Sequence, residues 1–389
     1  MNKSIIIYYL SEETHMLGNE IIYQIFPRNH TKEGTFKAIE KDLPRIQELG
    51  VDIIYLMPIH EIGKVNRKGT FGSPYAIKDY FSISKDLGTK EDFVDLVNTT
   101  HKLGMRIIID MVFNHTSPDN VLVKEHPEFY IYKNGKLGNR VGEWSDIVDL
   151  DTNREDTQNY FLEVLKYWVS LGVNGFRFDV ASMIPLSFFK KAREVLGKDI
   201  IFIGESIDFD FANYLKDQGE NTTPDKDMFP TFDSLYNYSW FNHFERFLKG
   251  EEDLSSLVNA LNKDEDALED KGLRINCIEN HDRERIASTA NRQMYELVSF
   301  YSYIRGQLFI YAGQEYGIDH RPDLFEKDPI NWIKNDTYLT MYKKAIAEKK
   351  KQKDNYKIKQ RFAKLNSTTI EVAKYLGRQV IDKNQFKLL

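Results

Sequence analysis

Short apolar runs alternate with amphipathic stretches of helical length along most of this chain. The runs are IIYQIF (21–26), DIIYLMP (52–58), RIIIDMVF (106–113), GFRFDV (175–180), DIIFIGE (199–205), LRINCIE (273–279) and QLFIYAG (307–313). A weaker one lies near MFPTFDSL (228–235). Between them stand TFKAIEKDLPRIQELG, KEDFVDLVNTTHKLG, TQNYFLEVLKYWVSLG and MYELVSFYSYIRG, each with apolar residues at helical spacing and a glycine where the last turn should stop. Nearly continuous apolar strands separated by helices imply a parallel sheet covered on its faces. Seven or eight such units predict an α/β fold, a (β/α)8 barrel. A doubly wound sheet would need a glycine-rich turn after its first strand, and YQIFPRNH has no glycine there.

Two segments break the alternation. From Asn114 to about Asp149 the chain is loop-like, with SPDN, HPEF, KNGKLGN and GEW. This predicts a short domain, 114–149, inserted after the third strand, on the side where loops of a barrel carry function. After Asp354 the pattern turns β-like in YKIKQRF, TIEVAKYL and RQVI, predicting a small C-terminal β module over 354–389. The barrel then takes residues 1–113 and 150–353. The Lys run in NDTYLTMYKKAIAEKKKQK reads as the solvated face of a helix.

Composition narrows the function. The chain has 389 residues, enough for a large core, and its net charge of −6 comes from 53 basic and 59 acidic residues mixed throughout. No basic stripe points to nucleic acid, and no apolar run is long enough to span a membrane. Cys277 is the only cysteine, so no internal disulfide forms, which fits a reducing compartment. The N-terminal MNKSIIIYYLSEETH lacks the longer apolar stretch and small-residue cleavage site of a signal peptide, so the expected location is cytoplasmic, with secretion as the alternative.

The predicted strand ends carry the candidate chemistry. The third gives Asp110, Asn114 and His115; the fourth Arg177 and Asp179; the fifth Glu205; the seventh Glu279, Asn280, His281 and Asp282. In a parallel barrel these groups meet at one rim. Any one of them alone would be a turn or capping residue, and Glu61 and Glu279 are read as ordinary structural carboxylates. Several carboxylates, an arginine and two histidines at one mouth are a costly cluster of the kind found where chemistry occurs. Two carboxylates flanking a scissile bond are what glycoside hydrolysis needs, one as nucleophile and one as proton donor. Arg177, two residues from Asp179 on one strand face, would keep Asp179 ionised, and Asp282 near Glu205 would help Glu205 hold its proton.

DMVFNH (110–115), GFRFDVAS (175–182), FIGES (202–206) and IENHD (278–282) resemble, in order and spacing, the four signature regions of glycoside hydrolase family 13, the α-amylase family. VDLDTNRED (148–156) is similar to the motif that closes the family's inserted domain, and GSPYAIKDY to its second-strand loop. The resemblance covers residues 18 to 350. It implies a retaining hydrolase of α-1,4-linked glucans or maltooligosaccharides, with Asp179 as nucleophile, Glu205 as acid/base and Asp282 holding the distorted sugar. Arg177 would orient Asp179, His115 and His281 would bond the sugar, and Tyr75 would stack on it. Asp110 would be structural support. The alternatives are a transglycosylase, glucanotransferase or isomerase with the same intermediate, and a non-catalytic member, though such members lose carboxylates that are present here. No cofactor is expected for the reaction. In calcium-containing members, counterparts of Asn114 and Asp149 ligate the ion, so both are candidate ligands. The Lys-His of many α-amylases after the nucleophile is replaced by Ser182 and Met183, and the Asp typical of the α-glucosidase branch by Gly72. The expected partner is an oligosaccharide, with no nucleic acid and no membrane; oligomeric state is left open.

Overall fold

The computed structural model describes residues 18–268, 272–290, 293–352 and 357–389. The N-terminal stretch read above for a signal peptide, and the boundary at 353–354, lie outside the described residues. Eight parallel strands close into a barrel: β1 (Ile21–Ile25), β2 (Ile53–Leu56), β3 (Arg106–Met111), β4 (Gly175–Phe178), β5 (Ile201–Gly204), β6 (Ser234–Tyr236), β7 (Arg274–Asn276) and β8 (Gln307–Tyr311). Each pairs with its sequence neighbour, and β8 closes on β1 with Ile22 opposite Phe309. The chain therefore forms a (β/α)8 barrel.

Helices form where the apolar spacing predicts them: α1 (Phe36–Leu49), α2 (Lys90–Lys102), α3 (Glu155–Ser170) and α4 (Leu186–Leu196) follow β1 to β4. Helix α2 starts in a capping box, Thr89 with Asp92, and α1 stops at Gly50, whose φ of 98° only glycine adopts readily. Their apolar stripes cover the outside of the barrel. Inside, Ile22, Ile53, Ile108, Ile201, Ile275 and Phe309 form a separate packed core.

Side chains alternate along a strand, so the inward row can be followed upward. It begins apolar at Ile22, Ile53 and Ile108 and turns polar two residues on, at Gln24, Tyr55 and Asp110, all buried. That polar layer is the floor of the site. Gly175 lets β4 and β5 approach, since a Cβ there would lie 2.3 Å from the Ile201 carbonyl oxygen. The register that results pairs Arg177 with both Asp110 and Ile203, and Phe178 with Gly204.

The weak sixth strand falls later than its sequence pattern suggested. Met228–Phe232 is a tight turn, with Phe232 N–H bonded to the Met228 carbonyl, and only Ser234–Tyr236 pairs in the sheet. The segment between β3 and α3 forms a two-residue ladder, His115–Thr116 against Val148–Asp149, and a small hairpin, Tyr132–Lys133 with Lys136–Leu137. After helix α9 (Asp336–Lys350), which follows α5 (Phe209–Asp217), α6 (Tyr238–Leu248), α7 (Leu254–Leu268) and α8 (Met294–Tyr303), comes an antiparallel sheet. Its strands are β9 (Lys359–Lys364), β10 (Thr369–Leu376) and β11 (Gln379–Lys387). Phe362 and Phe386 of this sheet pack on Phe300 of α8.

Candidate active site

Arg177 stands at the centre of the rim, fully buried. Its Nη1 donates to Asp110 Oδ1 at 2.9 Å and to Asp179 Oδ1 at 2.9 Å, and its Nη2 lies 2.8 Å from Glu205 Oε1. One guanidinium thus faces three carboxylates from three adjacent strands, a geometry its planar fork allows and a lysine's would not. The rings of Tyr75 and Tyr236 flank it at 5.9 and 5.5 Å. The alternation of charged and apolar residues in GFRFDV has its explanation here: Arg177 and Asp179 face inward, while Phe176 and Phe178 pack outward against the helices.

Asp110 takes further hydrogen bonds from the Tyr55 and Tyr75 hydroxyls, at 2.6 and 2.9 Å. Tyr75 also meets His281 Nε2 at 2.6 Å, and their rings stack 13° from parallel. His281 Nε2 lies 3.0 Å from Asp282, and its Nδ1 2.9 Å from the Gln24 amide. Six of the seven predicted site residues, Tyr75, Arg177, Asp179, Glu205, His281 and Asp282, therefore form one connected network. His115 is bonded outside it, with Nδ1 3.1 Å from Asn114 Nδ2 and its ring 5.7 Å from that of Trp144.

The three carboxylates differ in environment. Burial pushes Glu205 up to about 7; Arg177 opposes this, and the charges of Asp179 and Asp282 add to it. Asp179 is raised by burial to about 6, and Arg177, which would keep it ionised, opposes this without outweighing it. Partial desolvation in the cleft works against the charge of Asp282, whose side chain is 46% exposed, but His281 outweighs it and holds Asp282 down at about 2. For His281, burial favours the neutral ring, but Asp282 prevails and its pKa rises. Burial lowers that of His115 and so favours its neutral form.

Val180, the residue after Asp179, has φ of 37°, a left-handed conformation rare for a β-branched residue. The strained turn aims its N–H at Glu205 Oε2, 2.8 Å away. Strain at this point locks the loop leaving β4 to the carboxylate leaving β5.

The sequence reasoning missed Gln24 and Tyr55, which support His281 and Asp110. Their signal was a polar group at an inward position of an otherwise apolar run. It also missed Arg140, which sits between the two candidate calcium ligands. Arg140 Nη1 donates to Asn114 Oδ1 at 3.2 Å and to Asp149 Oδ2 at 3.4 Å, and the Arg140 N–H donates to the same Oδ2 at 2.7 Å. Burial raises the pKa of Asp149, and Arg140 opposes this. Of the Asn114 and Asp149 side-chain oxygens, Asp149 Oδ1 has no hydrogen bond. Calcium takes six to eight oxygens, and among the described residues no group of three or more His, Cys, Asp or Glu is placed to hold a metal. With the Arg140 guanidinium already placed between Asn114 and Asp149, the residues present do not fit a calcium ion. Glu279, read as structural, is buried against Arg285 at 2.6 Å, and Glu61 pairs with Lys78.

A closed parallel barrel with carboxylates around a buried arginine at the C-terminal rim defines a barrel enzyme. The profile of the family "Alpha amylase, catalytic domain" matches residues 18–147 and 139–368. The chain belongs to the α-amylase family. An α-amylase from Lactobacillus plantarum is 34% identical, with a TM-score of 0.86 over 92% of this chain and 85% of its own. A maltogenic α-amylase from Thermotoga neapolitana is 31% identical, with a TM-score of 0.82 over 93% and 84%. An α-1,4-glucan:maltose-1-phosphate maltosyltransferase from Myxococcus xanthus is 36% identical over 43% of this chain, but that match spans only 29% of its own length. Among the described residues no helix is long and apolar enough to cross a membrane.

Proposed function

We propose that the chain is a retaining glycoside hydrolase that cleaves α-1,4-glucosidic bonds of maltooligosaccharides and starch-like glucans. The observation that carries this reading is the pair Asp179 and Glu205, set on neighbouring strands around one arginine, with Glu205 the more readily protonated. In the first step Asp179 attacks the anomeric carbon as Glu205 gives its proton to the glycosidic oxygen, so that the leaving sugar departs as an alcohol. A glycosyl ester of Asp179 remains. In the second step Glu205, now a carboxylate, takes a proton from water, whose oxygen displaces Asp179 at the same carbon. Both residues end as they began.

Tyr75 offers its ring to the sugar on the donor side, while Asp282 and His281 bond its hydroxyls. His115 accepts from Asn114 at Nδ1, which puts its proton on Nε2 as a donor for the same sugar. Substrate is a neutral oligosaccharide, with no nucleic acid or membrane involved. Transfer to a second sugar is the other reading. It is favoured by the maltosyltransferase among the relatives and by Ser182 and Met183 where many α-amylases carry Lys-His.

Incubation with maltoheptaose, with products resolved over time and Asp179→Asn as the control, separates the two. Shorter maltooligosaccharides alone mean hydrolysis. Products longer than the substrate mean transfer. No change beyond the control would remove the α-1,4-glucan reading.

A further inference from the structure

Arg140 lies in the inserted segment with its side chain buried, 7% exposed. Its guanidinium joins three separate stretches of chain. Nη1 reaches Asn114, just beyond β3, and Asp149, where the segment returns to the barrel. Nη2 reaches the Leu150 carbonyl at 3.5 Å, and Nε donates to Glu220 Oε2 at 3.0 Å, beyond α5. Asn114 and Asp149 are the two candidate cation ligands at this junction. Here a side chain supplies the positive charge instead.

The contact with Asn114 has a second effect. An amide has one oxygen and one NH2 end. With Oδ1 committed to Arg140, Nδ2 must face His115 Nδ1, at 3.1 Å. His115 is then held as the Nε2–H tautomer. A cation at the same place would bind Oδ1 and give the same result. An empty place would leave the amide free to turn.

We propose that Arg140 takes the place of a structural calcium ion, so that the chain joins its inserted segment to the barrel and fixes the His115 tautomer without a metal. Arg140 is a positioning residue, acting through Asn114. Its role in activity rests on the function proposed above; its role in stability does not.

The test compares wild type with Arg140→Ala, each with chelator and with about 5 mM calcium, in the range of weak protein calcium sites. Wild-type Tm should be the same in both. Arg140→Ala uncovers a buried carboxylate, so its Tm in chelator should fall by about 5 °C. It also takes the guanidinium away from Asp149 Oδ2, beside the already unbonded Oδ1, and frees Asn114 Oδ1 and the Leu150 carbonyl, so calcium should restore at least half of the loss. In chelator the variant's KM for maltoheptaose should rise about tenfold, with a smaller change in kcat, as expected when one binding hydrogen bond is lost. Calcium should reverse that as well. If Arg140→Ala does not fold, Arg140→Gln keeps most of the volume, removes the charge and asks the same question.

Three results would overturn the proposal. One is a wild-type Tm that rises with calcium or falls with chelator. Another is a variant as stable as wild type. The third is a loss that calcium leaves unchanged, which would mean that directional hydrogen bonds act here rather than charge. Inactivity of the wild type on maltoheptaose, with the Tm results as expected, would count against the function and not against the role of Arg140.

Discussion

Glu205 should make the folded protein less stable at alkaline pH, and removing its charge should reverse this. Its pKa stands at about 7 in the folded chain against an ordinary value of 4.5, because burial penalises the carboxylate. A carboxyl with a raised folded pKa contributes most below the unfolded value, and that contribution is lost as pH rises through the folded one. At pH 4 both states hold the proton and the site costs nothing. At pH 8 both have lost it, and the folded state carries an ionised group that it disfavours by about 3 kcal/mol. Glu205→Gln keeps the shape of the protonated acid and cannot ionise. For a chain of 389 residues the unfolding entropy is about 0.8 kcal/mol/K, so 3 kcal/mol is about 4 °C in Tm. The assay is thermal unfolding of both proteins at pH 4 and pH 8. The variant should match wild type at pH 4 and exceed it by about 4 °C at pH 8. An equal offset at both pH values, or a variant less stable at pH 8, would refute the reasoning, because desolvation of Glu205 would then not set its pKa.

Two further outcomes follow from the same groups. In the mechanism proposed above Asp179 reacts ionised and Glu205 protonated, so kcat/KM should trace a narrow bell centred between pH 6 and 7, from their values of about 6 and about 7. The two limbs belong to the coupled pair, and a plateau running past pH 9 would count against Glu205 as the acid. Asp110→Ala should remove one of the carboxylates facing Arg177 and two tyrosine hydrogen bonds, at a cost of about 3–5 kcal/mol. Thermal unfolding should show a drop of at least 4 °C; a Tm within 1 °C of wild type would show that Asp110 is not the support of the site.

Much of this was legible because barrel strands buried on both faces leave few polar residues, and those few lie at the ends. Asp110, Arg177, Asp179, Glu205 and Asp282 stood out in apolar runs for that reason. Strand β6 was harder to see: only three residues pair, and the apolar residues before them, Met228, Phe229 and Phe232, pack a turn rather than a sheet. Arg140 was hidden for another reason. Its partners Asn114, Asp149 and Glu220 lie 26, 9 and 80 residues away, and nothing periodic in a loop announces such a meeting. Gln24 and Tyr55 were visible as polar groups in strands, but their partners are set by tertiary structure: Tyr55 meets Asp110 across the β2–β3 pairing, and Gln24 meets His281 from the loop after β7.

The equal register of β4 and β5 acts as a ruler for stereochemistry. Phe178 pairs with Gly204, so the next residues, Asp179 and Glu205, leave adjacent strands side by side, and the Glu205 N–H bonds back to the Phe178 carbonyl. Adjacent strands are about 4.8 Å apart, close to the roughly 5–5.5 Å between carboxyls that suits double displacement through an ester. Single displacement needs room for a water between them, roughly 6.5–9.5 Å, wider than the backbone spacing of neighbouring strands. Moving the acid one strand further round the barrel would about double the gap. For the retaining reaction proposed above, the strand order alone would then bring the two carboxyls to the spacing it needs, before any loop that touches the substrate is considered.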